Sequence, residues 1–347
     1  MRLADFGISN TQPAFIVAEI SGNHAGEKNS CIDLIDVATA VGANAVKFQT
    51  YTADTITLNS EEPDFILPSN SPWASYSNYY KFYAEAYTPW EWQSDLFDYA
   101  RAKGILPFSS AFDETSVDFL ESIACPLYKL ASPEINHLPL INKLAKTGKP
   151  ILISLGVASQ SHLEKAILEI KDNSSSEIVI MQCDTNYPAE TQNANIAQIP
   201  FLSEKYKHLV GYSDHTQSSI SAVLAIGFGA KVVEKHLTSS AIGDSVDSFF
   251  STSESDFASY IKDIRSAESA IGNQKFRNLN SSTSVTSSRS IYPTRNISKG
   301  EIFSDGNLGI FRPGLSLAPS LMNTILGKTA KRNLRIGERL SMDDIEL

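Results

Sequence analysis

The sequence predicts a (β/α)8 TIM barrel, an α/β fold, over residues 1–272, then a linker at 273–288 and a small β-rich domain at 289–347. Three observations carry this reading. An amphipathic segment ending at a glycine recurs, each time with a short apolar run close behind it. Eight such runs fall within about 270 residues, the length of an eight-unit barrel. No G-x-G-x-x-G or G-x-x-x-x-G-K-[ST] follows the first run, which argues against the rival doubly wound sheet.

The glycines are Gly42 before Ala45-Val46-Lys47-Phe48, Gly104 before Ile105-Leu106-Pro107-Phe108, Gly148 before Ile151-Leu152-Ile153, and Gly229 before Lys231-Val232-Val233. Glycine past a helix end supplies a left-handed cap, and a continuous apolar run after it reads as a buried parallel strand. In the first helix Leu34, Ala38 and Val41 keep the i, i+4, i+7 spacing of one buried face. Strands are expected to begin near Phe15, Ala45, Ile105, Tyr128, Ile151, Ile178, Leu209 and Lys231. Residues 51–89, rich in Tyr, Ser, Asn and Pro, interrupt the rhythm and read as one long loop over a barrel face.

The segment 273–288 is rich in Ser and Asn, as linkers are. Beyond it the sequence repeats: Arg295-Asn296-Ile297-Ser298-Lys299-Gly300-Glu301-Ile302-Phe303-Ser304 returns as Arg332-Asn333-Leu334-Arg335-Ile336-Gly337-Glu338-Arg339-Leu340-Ser341. Both copies run on to an apolar residue, Leu308 and Ile345, so the module should carry internal pseudo-symmetry.

Composition narrows the function. The 347 residues are 42% hydrophobic and 20% charged, which is globular and leaves no room for whole-chain disorder. Lys and Arg number 29 against 39 Asp and Glu, so 29 − 39 = −10, and a general nucleic-acid binder is excluded. Cys31, Cys125 and Cys183 are scattered and odd in number, which fits a reducing cytoplasm better than a disulfide framework. Met1-Arg2-Leu3-Ala4-Asp5 does not open a signal peptide, and no apolar run reaches the roughly 18 residues of a membrane span.

A barrel carries its chemistry at the C-terminal ends of its strands. Those ends read Glu19; Lys47 and Gln49; Ser109 and Ser110; Lys129, Ser132 and Glu134; Ser154; Asp184-Thr185-Asn186-Tyr187; Ser213-Asp214-His215; and Glu234-Lys235-His236. Singly, each serves as a helix cap or a snorkelling lysine. Together, two ammoniums and several hydroxyls on one rim suit a phosphate or carboxylate. His215 and His236 end adjacent strands, within reach of one metal ion, although two hydrogen-bonded core histidines would read the same. Glu234 and Asp214 support neighbouring groups or start helices. Asp247 lies in the loop after the eighth strand, where it meets a substrate hydroxyl or simply solvent. Arg312, in Arg312-Pro313-Gly314-Leu315, is either a surface charge or a group presented to another subunit.

Ala18-Glu19-Ile20-Ser21-Gly22-Asn23-His24-Ala25-Gly26, Val46-Lys47-Phe48-Gln49-Thr50, Gly211-Tyr212-Ser213-Asp214-His215 and Glu234-Lys235-His236 resemble the sialic acid (nonulosonic acid) synthase family. The final module resembles the antifreeze-like SAF domain that ends those enzymes. The resemblance implies condensation of phosphoenolpyruvate with an N-acyl amino-sugar aldehyde and water, with a divalent metal, Mn2+ or Mg2+. It assigns Lys47, Ser110, Lys129, Ser132, Ser154 and Ser213 to phosphoenolpyruvate. His215 and His236 would bind the metal, and Glu134 would transfer a proton. Glu19, Gln49, Tyr187 and Asp247 would hold sugar hydroxyls. It also implies a domain-swapped homodimer in which Arg312 meets the partner subunit's substrate.

Within the family, Gln49-Thr50-Tyr51-Thr52, Thr57-Leu58-Asn59-Ser60, Asp64-Phe65-Ile66 and Arg312-Pro313-Gly314-Leu315-Ser316-Leu317-Ala318-Pro319 are most similar to pseudaminic acid synthases. That implies 2,4-diacetamido-2,4,6-trideoxy-L-altrose as acceptor. N-acetylneuraminate and legionaminic acid synthases are the nearest alternatives. Leu155, where the family usually has threonine, and Asp184 in place of the usual cysteine depart from the pattern near the acceptor. Two readings from other classes fit less well. A metallohydrolase usually needs more ligands than this rim offers, and an inactive sugar-binding scaffold would not keep both lysines and both histidines.

Overall fold

The computed structural model describes residues 1–272 and 282–346. The chain divides into two compact units, Met1–Gly272 and Asn273–Leu347. Of the expected linker, residues 273–281 lie outside the described residues, and Ser282–Ser287 form a short helix.

In the first unit eight strands close a barrel in chain order: β1 (Phe15–Glu19), β2 (Ala45–Thr50), β3 (Leu106–Ala111), β4 (Tyr128–Leu130), β5 (Ile151–Ser154), β6 (Ile178–Cys183), β7 (Leu209–Asp214) and β8 (Val232–His236). All pairs are parallel, and β1 meets both β2 and β8. Six strands begin where the sequence placed them, and β3 and β8 begin one residue later. Almost every strand residue is buried, because helices cover the outside and side chains fill the inside. Phe48 shows the outer contact, stacking at 5.5 Å on Phe97 of the helix Trp90–Lys103. The four predicted cap glycines have φ of 87°, 79°, 68° and 99°. At helix starts, Asp113, Ser159 and Ser253 accept hydrogen bonds from backbone N–H groups of the first turn.

Residues 51–89 are not one loop. They contain the helix Tyr79–Ala86, capped by Asn78, which accepts from the Lys81 N–H at 2.9 Å. Phe82 and Ala86, four apart, face Leu67 and the rings of Trp73, Tyr76 and Tyr83 in a small core of their own. Aromatic residues have modest helix propensity, so the composition concealed a two-turn helix held by packing. Trp73 Nε1–H donates to the Val246 carbonyl at 3.0 Å, fastening this insertion to the loop after β8.

In the second unit β9 (Ser290–Pro293) pairs antiparallel with β10 (Leu308–Phe311), and β11 (Thr329–Ala330) with β12 (Ile345–Glu346). The duplicated motif is a structural duplication. Ile297 and Leu334 exchange N–H···O bonds of 2.9 and 2.8 Å. Asn333 Oδ1 accepts from Lys299 N–H at 2.8 Å, and Asn296 Oδ1 accepts from Ile336 N–H at 3.0 Å. Arg295 pairs with Glu301 at 2.6 Å, as Arg332 pairs with Glu338 at 2.7 Å. Gly300 and Gly337 turn each copy with φ of 81° and 72°, a conformation in which a side chain would be strained. Matched apolar pairs, Ile297 with Leu334, Phe303 with Leu340 and Leu308 with Ile345, fill the core. Among the described residues no helix is long and apolar enough to cross a membrane.

Candidate active site

Alternation along each strand decides which side chains meet at the rim. On β2, Lys47 and Gln49 share the face opposite Phe48. Across β7 and β8, Ser213, His215, Glu234 and His236 share one face and line the same cleft. Asp214 and Lys235 take the other, where they pair at 3.3 Å behind the barrel wall. There Asp214 also accepts from the Tyr260 hydroxyl at 2.8 Å and from Thr216 N–H and Oγ1–H at 2.9 and 2.7 Å. Lys235 donates to the Thr216 carbonyl at 2.6 Å, so the two strand ends that carry the histidines are tied together from outside.

On the inner side Glu234 is the hub. Its Oε1 accepts from Lys129 Nζ and from Ser213 Oγ, both at 3.1 Å, and lies 3.8 Å from Lys47 Nζ. Lys47 pairs with Glu19 at 2.5 Å and donates to Ser110 Oγ at 3.1 Å. Gln49 Nε2 donates to the other Glu19 oxygen at 3.0 Å. These four charged side chains are at most 5% exposed. Burial alone would push Glu234 up, but Lys129 and Lys47 outweigh it and hold the carboxyl well below its usual range. Glu19 faces one ammonium rather than two, and burial pushes it up. Burial likewise opposes the charge on Lys47, and Glu19 with Glu234 more than offsets it, raising its pKa. The cleft therefore holds two ammoniums ready for an anion, balanced until then by carboxylates.

Burial disfavours the charged form of both histidines. Burial lowers His215 to about 4, and burial with the nearby His215, Lys47 and Lys235 lowers His236 well below the ordinary value. Their rings lie 5.3 Å apart between centroids. His215 Nδ1 contacts the Asp184 carbonyl at 2.5 Å, and a carbonyl only accepts, so Nδ1 carries the hydrogen and Nε2 the lone pair. Two neutral imidazoles suit a divalent cation, but among the described residues no group of three or more His, Cys, Asp or Glu is set around one. A cation here would complete its shell with water and substrate.

Glu134 sits in the short 3-10 helix Ser132–Asn136, and burial pushes its carboxyl up to about 7. Ser132 Oγ donates to the Leu155 carbonyl and accepts from Val157 N–H, both at 2.7 Å, which ties the ends of β4 and β5 together. Tyr187 packs on His215, with ring centroids 4.3 Å apart. Asp247 is buried rather than exposed; it accepts from Ser21 Oγ at 2.6 Å and Gly22 N–H at 3.0 Å. Among the described residues, Ser154 Oγ, Glu134 Oε2, Glu234 Oε2 and Asp184 Oδ2 are buried without a hydrogen-bond partner. Buried polar atoms are rarely left so, and this cluster at one rim marks where a polar ligand belongs.

Ten of the predicted residues, Lys47, Gln49, Ser110, Lys129, Ser132, Ser154, Tyr187, Ser213, His215 and His236, line one cleft of about 60 Å³. Glu19 joins it through Gln49 and Lys47, Asp247 through Ser21, and Glu134 extends from Ser132. Arg312 belongs to the second unit, where it is exposed and lines a groove of about 520 Å³ with Arg339, Tyr292 and Phe311. Sequence reasoning left Glu234 undecided and passed over Ser21 and Cys183, which also lines the cleft. For Glu234 the signal was present, since it stands two residues before His236 on the same face. A larger hollow of about 770 Å³ runs along the barrel's outer wall by Asp118 and Lys143, which pair with each other.

A model of the NeuB family matches residues 34–276, and one of the SAF domain matches residues 288–346. The chain is 35% identical to the pseudaminic acid synthase of Campylobacter jejuni subsp. jejuni serotype O:2, over 100% of both chains. It is 37% identical to the pseudaminic acid synthase of Helicobacter pylori, covering 96% of this chain and 98% of that one. The crystal structure of the spore coat polysaccharide biosynthesis protein SpsE of Bacillus subtilis, 30% identical, superposes with a TM-score of 0.64 over 97% of this chain and 96% of that one. On its sequence from Leu34 onward, and on the barrel and rim described above, this chain belongs to the NeuB family.

Proposed function

We propose that the chain is a pseudaminic acid synthase, condensing phosphoenolpyruvate with 2,4-diacetamido-2,4,6-trideoxy-L-altrose and water. The observation that carries this reading is the pair of buried ammoniums, Lys47 and Lys129, ringed by serine hydroxyls beside two neutral histidines. The relatives at 35–37% identity support the choice of acceptor. In the reaction C3 of phosphoenolpyruvate bonds to the aldehyde carbon, water adds at C2, and the C2–O bond to phosphorus's oxygen breaks. Of the water's two protons one ends on the aldehyde oxygen, now a hydroxyl, and the other leaves with the phosphate as the C2 hydroxyl becomes the ketone, giving a nine-carbon 2-keto acid and hydrogen phosphate.

Lys47 and Lys129 receive the phosphate and carboxylate as Glu19 and Glu234 give way, with Ser110, Ser154 and Ser213 as hydroxyl donors and Ser132, its proton on the Leu155 carbonyl, lining the cleft beside them. Glu19, Gln49, Tyr187 and Asp247 orient the sugar. A divalent cation, Mn2+ or Mg2+, on His215 and His236 would supply Lewis-acid polarisation of the aldehyde. Glu134, with a pKa near neutrality, exchanges the proton that the water loses. Arg312 is presented to the partner subunit's substrate in a homodimer, near its N-acyl group.

Phosphate release with Mn2+ tests the function. It is expected with the diacetamido-trideoxy-altrose and not with N-acetylmannosamine; the reverse result assigns the chain to the sialic branch. For the dimer, Arg312→Ala and His236→Ala chains, each inactive alone, should regain activity when co-folded, because one site of the mixed dimer keeps both groups. Mixed dimers as inactive as their parents would remove Arg312 from the partner's site.

Glu134 also makes a pH prediction. Its pKa is raised from 4.5 to about 7 by burial, so the folded chain binds more protons there than the unfolded chain between those values. Stability then falls as pH rises through that window, and the whole penalty, up to about 3 kcal/mol, is present above it. Thermal melts should show Glu134→Gln more stable than the parent at pH 8 and little changed at pH 4.5. Turnover should fall by about 100-fold or more.

A further inference from the structure

Ser21 lies just past β1 with φ of 43°, in the left-handed region that glycine enters freely and other residues avoid. A position chosen for backbone shape alone would hold glycine. At Gly22 an added Cβ would come within 3.2 Å of Asp247 Oδ2. Ser21 is 1% exposed, and its hydroxyl meets two groups across the rim. Oγ lies 2.6 Å from Asp247 Oδ2 and 3.1 Å from His236 Nδ1.

A hydroxyl has one proton to give. Asp247 Oδ2 accepts from the Gly22 N–H at 3.0 Å, and the hydroxyl gives its proton to that same oxygen. Oγ can then only accept from His236, and for that Nδ1 must carry the imidazole hydrogen. The lone pair of His236 is left on Nε2, as the Asp184 carbonyl leaves it on Nε2 of His215. We propose that Ser21 is a positioning residue that locks His236 in its Nδ1–H tautomer by relaying the demand of Asp247. The strained backbone at residue 21 keeps that hydroxyl between the two groups. The value of the lock for cation binding rests on the proposed role of His236; the tautomer itself does not.

The test uses metal-free full-length protein labelled with 15N in its histidine rings, with His236 assigned by its loss in His236→Gln. The parent should show a protonated Nδ1 and a bare Nε2 at His236. Ser21→Gly relieves the backbone while removing the hydroxyl, so its melting temperature should stay within about 3 °C of the parent. Its His236 signals should move to the other tautomer or to a mixture. Titrated with Mn2+ alone, it should bind about 10-fold more weakly. Unchanged His236 signals in Ser21→Gly would overturn the proposal. A tautomer shift in a protein whose parent binds no Mn2+ would uphold it and overturn the cation role of His236 instead.

Discussion

Two buried carboxylates facing two buried ammoniums set the character of the cleft. Removing an ion from water costs several kcal/mol, so a buried ammonium needs a carboxylate close by. Glu234 touches Lys129 at 3.1 Å and lies 3.8 Å from Lys47, while Glu19 holds Lys47 from the other side. The protein carries a net charge of −10, and these two ammoniums are concentrated on one rim of the barrel.

The barrel supplies the geometry for this at little expense. Parallel strands ending on one rim, with a period of two, sort Glu234 and His236 inward and Lys235 outward from three consecutive residues. The outward residue still serves the rim, since Lys235 with Asp214 and Tyr260 anchors the strand ends that present the histidines. Ser21 and Asp247 do for His236 on the inner side what the Asp184 carbonyl does for His215.

Most of the barrel was legible because its signals are local: a glycine, a cap, a continuous apolar run. The 37-residue offset between Ile297 and Leu334 was equally plain, and the structure turns it into a reciprocal hydrogen-bonded pair. The helix Tyr79–Ala86 was not legible, since its stability comes from Trp73 and Leu67 rather than from its own composition. Asp247 looked like an exposed loop residue because its two donors, Ser21 and Gly22, lie 226 and 225 positions away in sequence. Ser21 was hidden for a related reason: nothing in Ile20-Ser21-Gly22 tells that Ser21 has a positive φ or that its hydroxyl faces an imidazole from β8.

The most direct test of this account is the affinity for phosphoenolpyruvate of a chain carrying both Lys129→Met and Glu234→Gln. The double change removes one positive and one negative charge, so the net charge of the cleft stays the same and no buried ion is stranded. Measured by titration calorimetry against the parent, affinity should fall by about 100-fold, the worth of a charge-assisted contact to one ammonium. Unchanged affinity would mean that phosphoenolpyruvate does not bind at Lys129, and the cleft would not be the site described here.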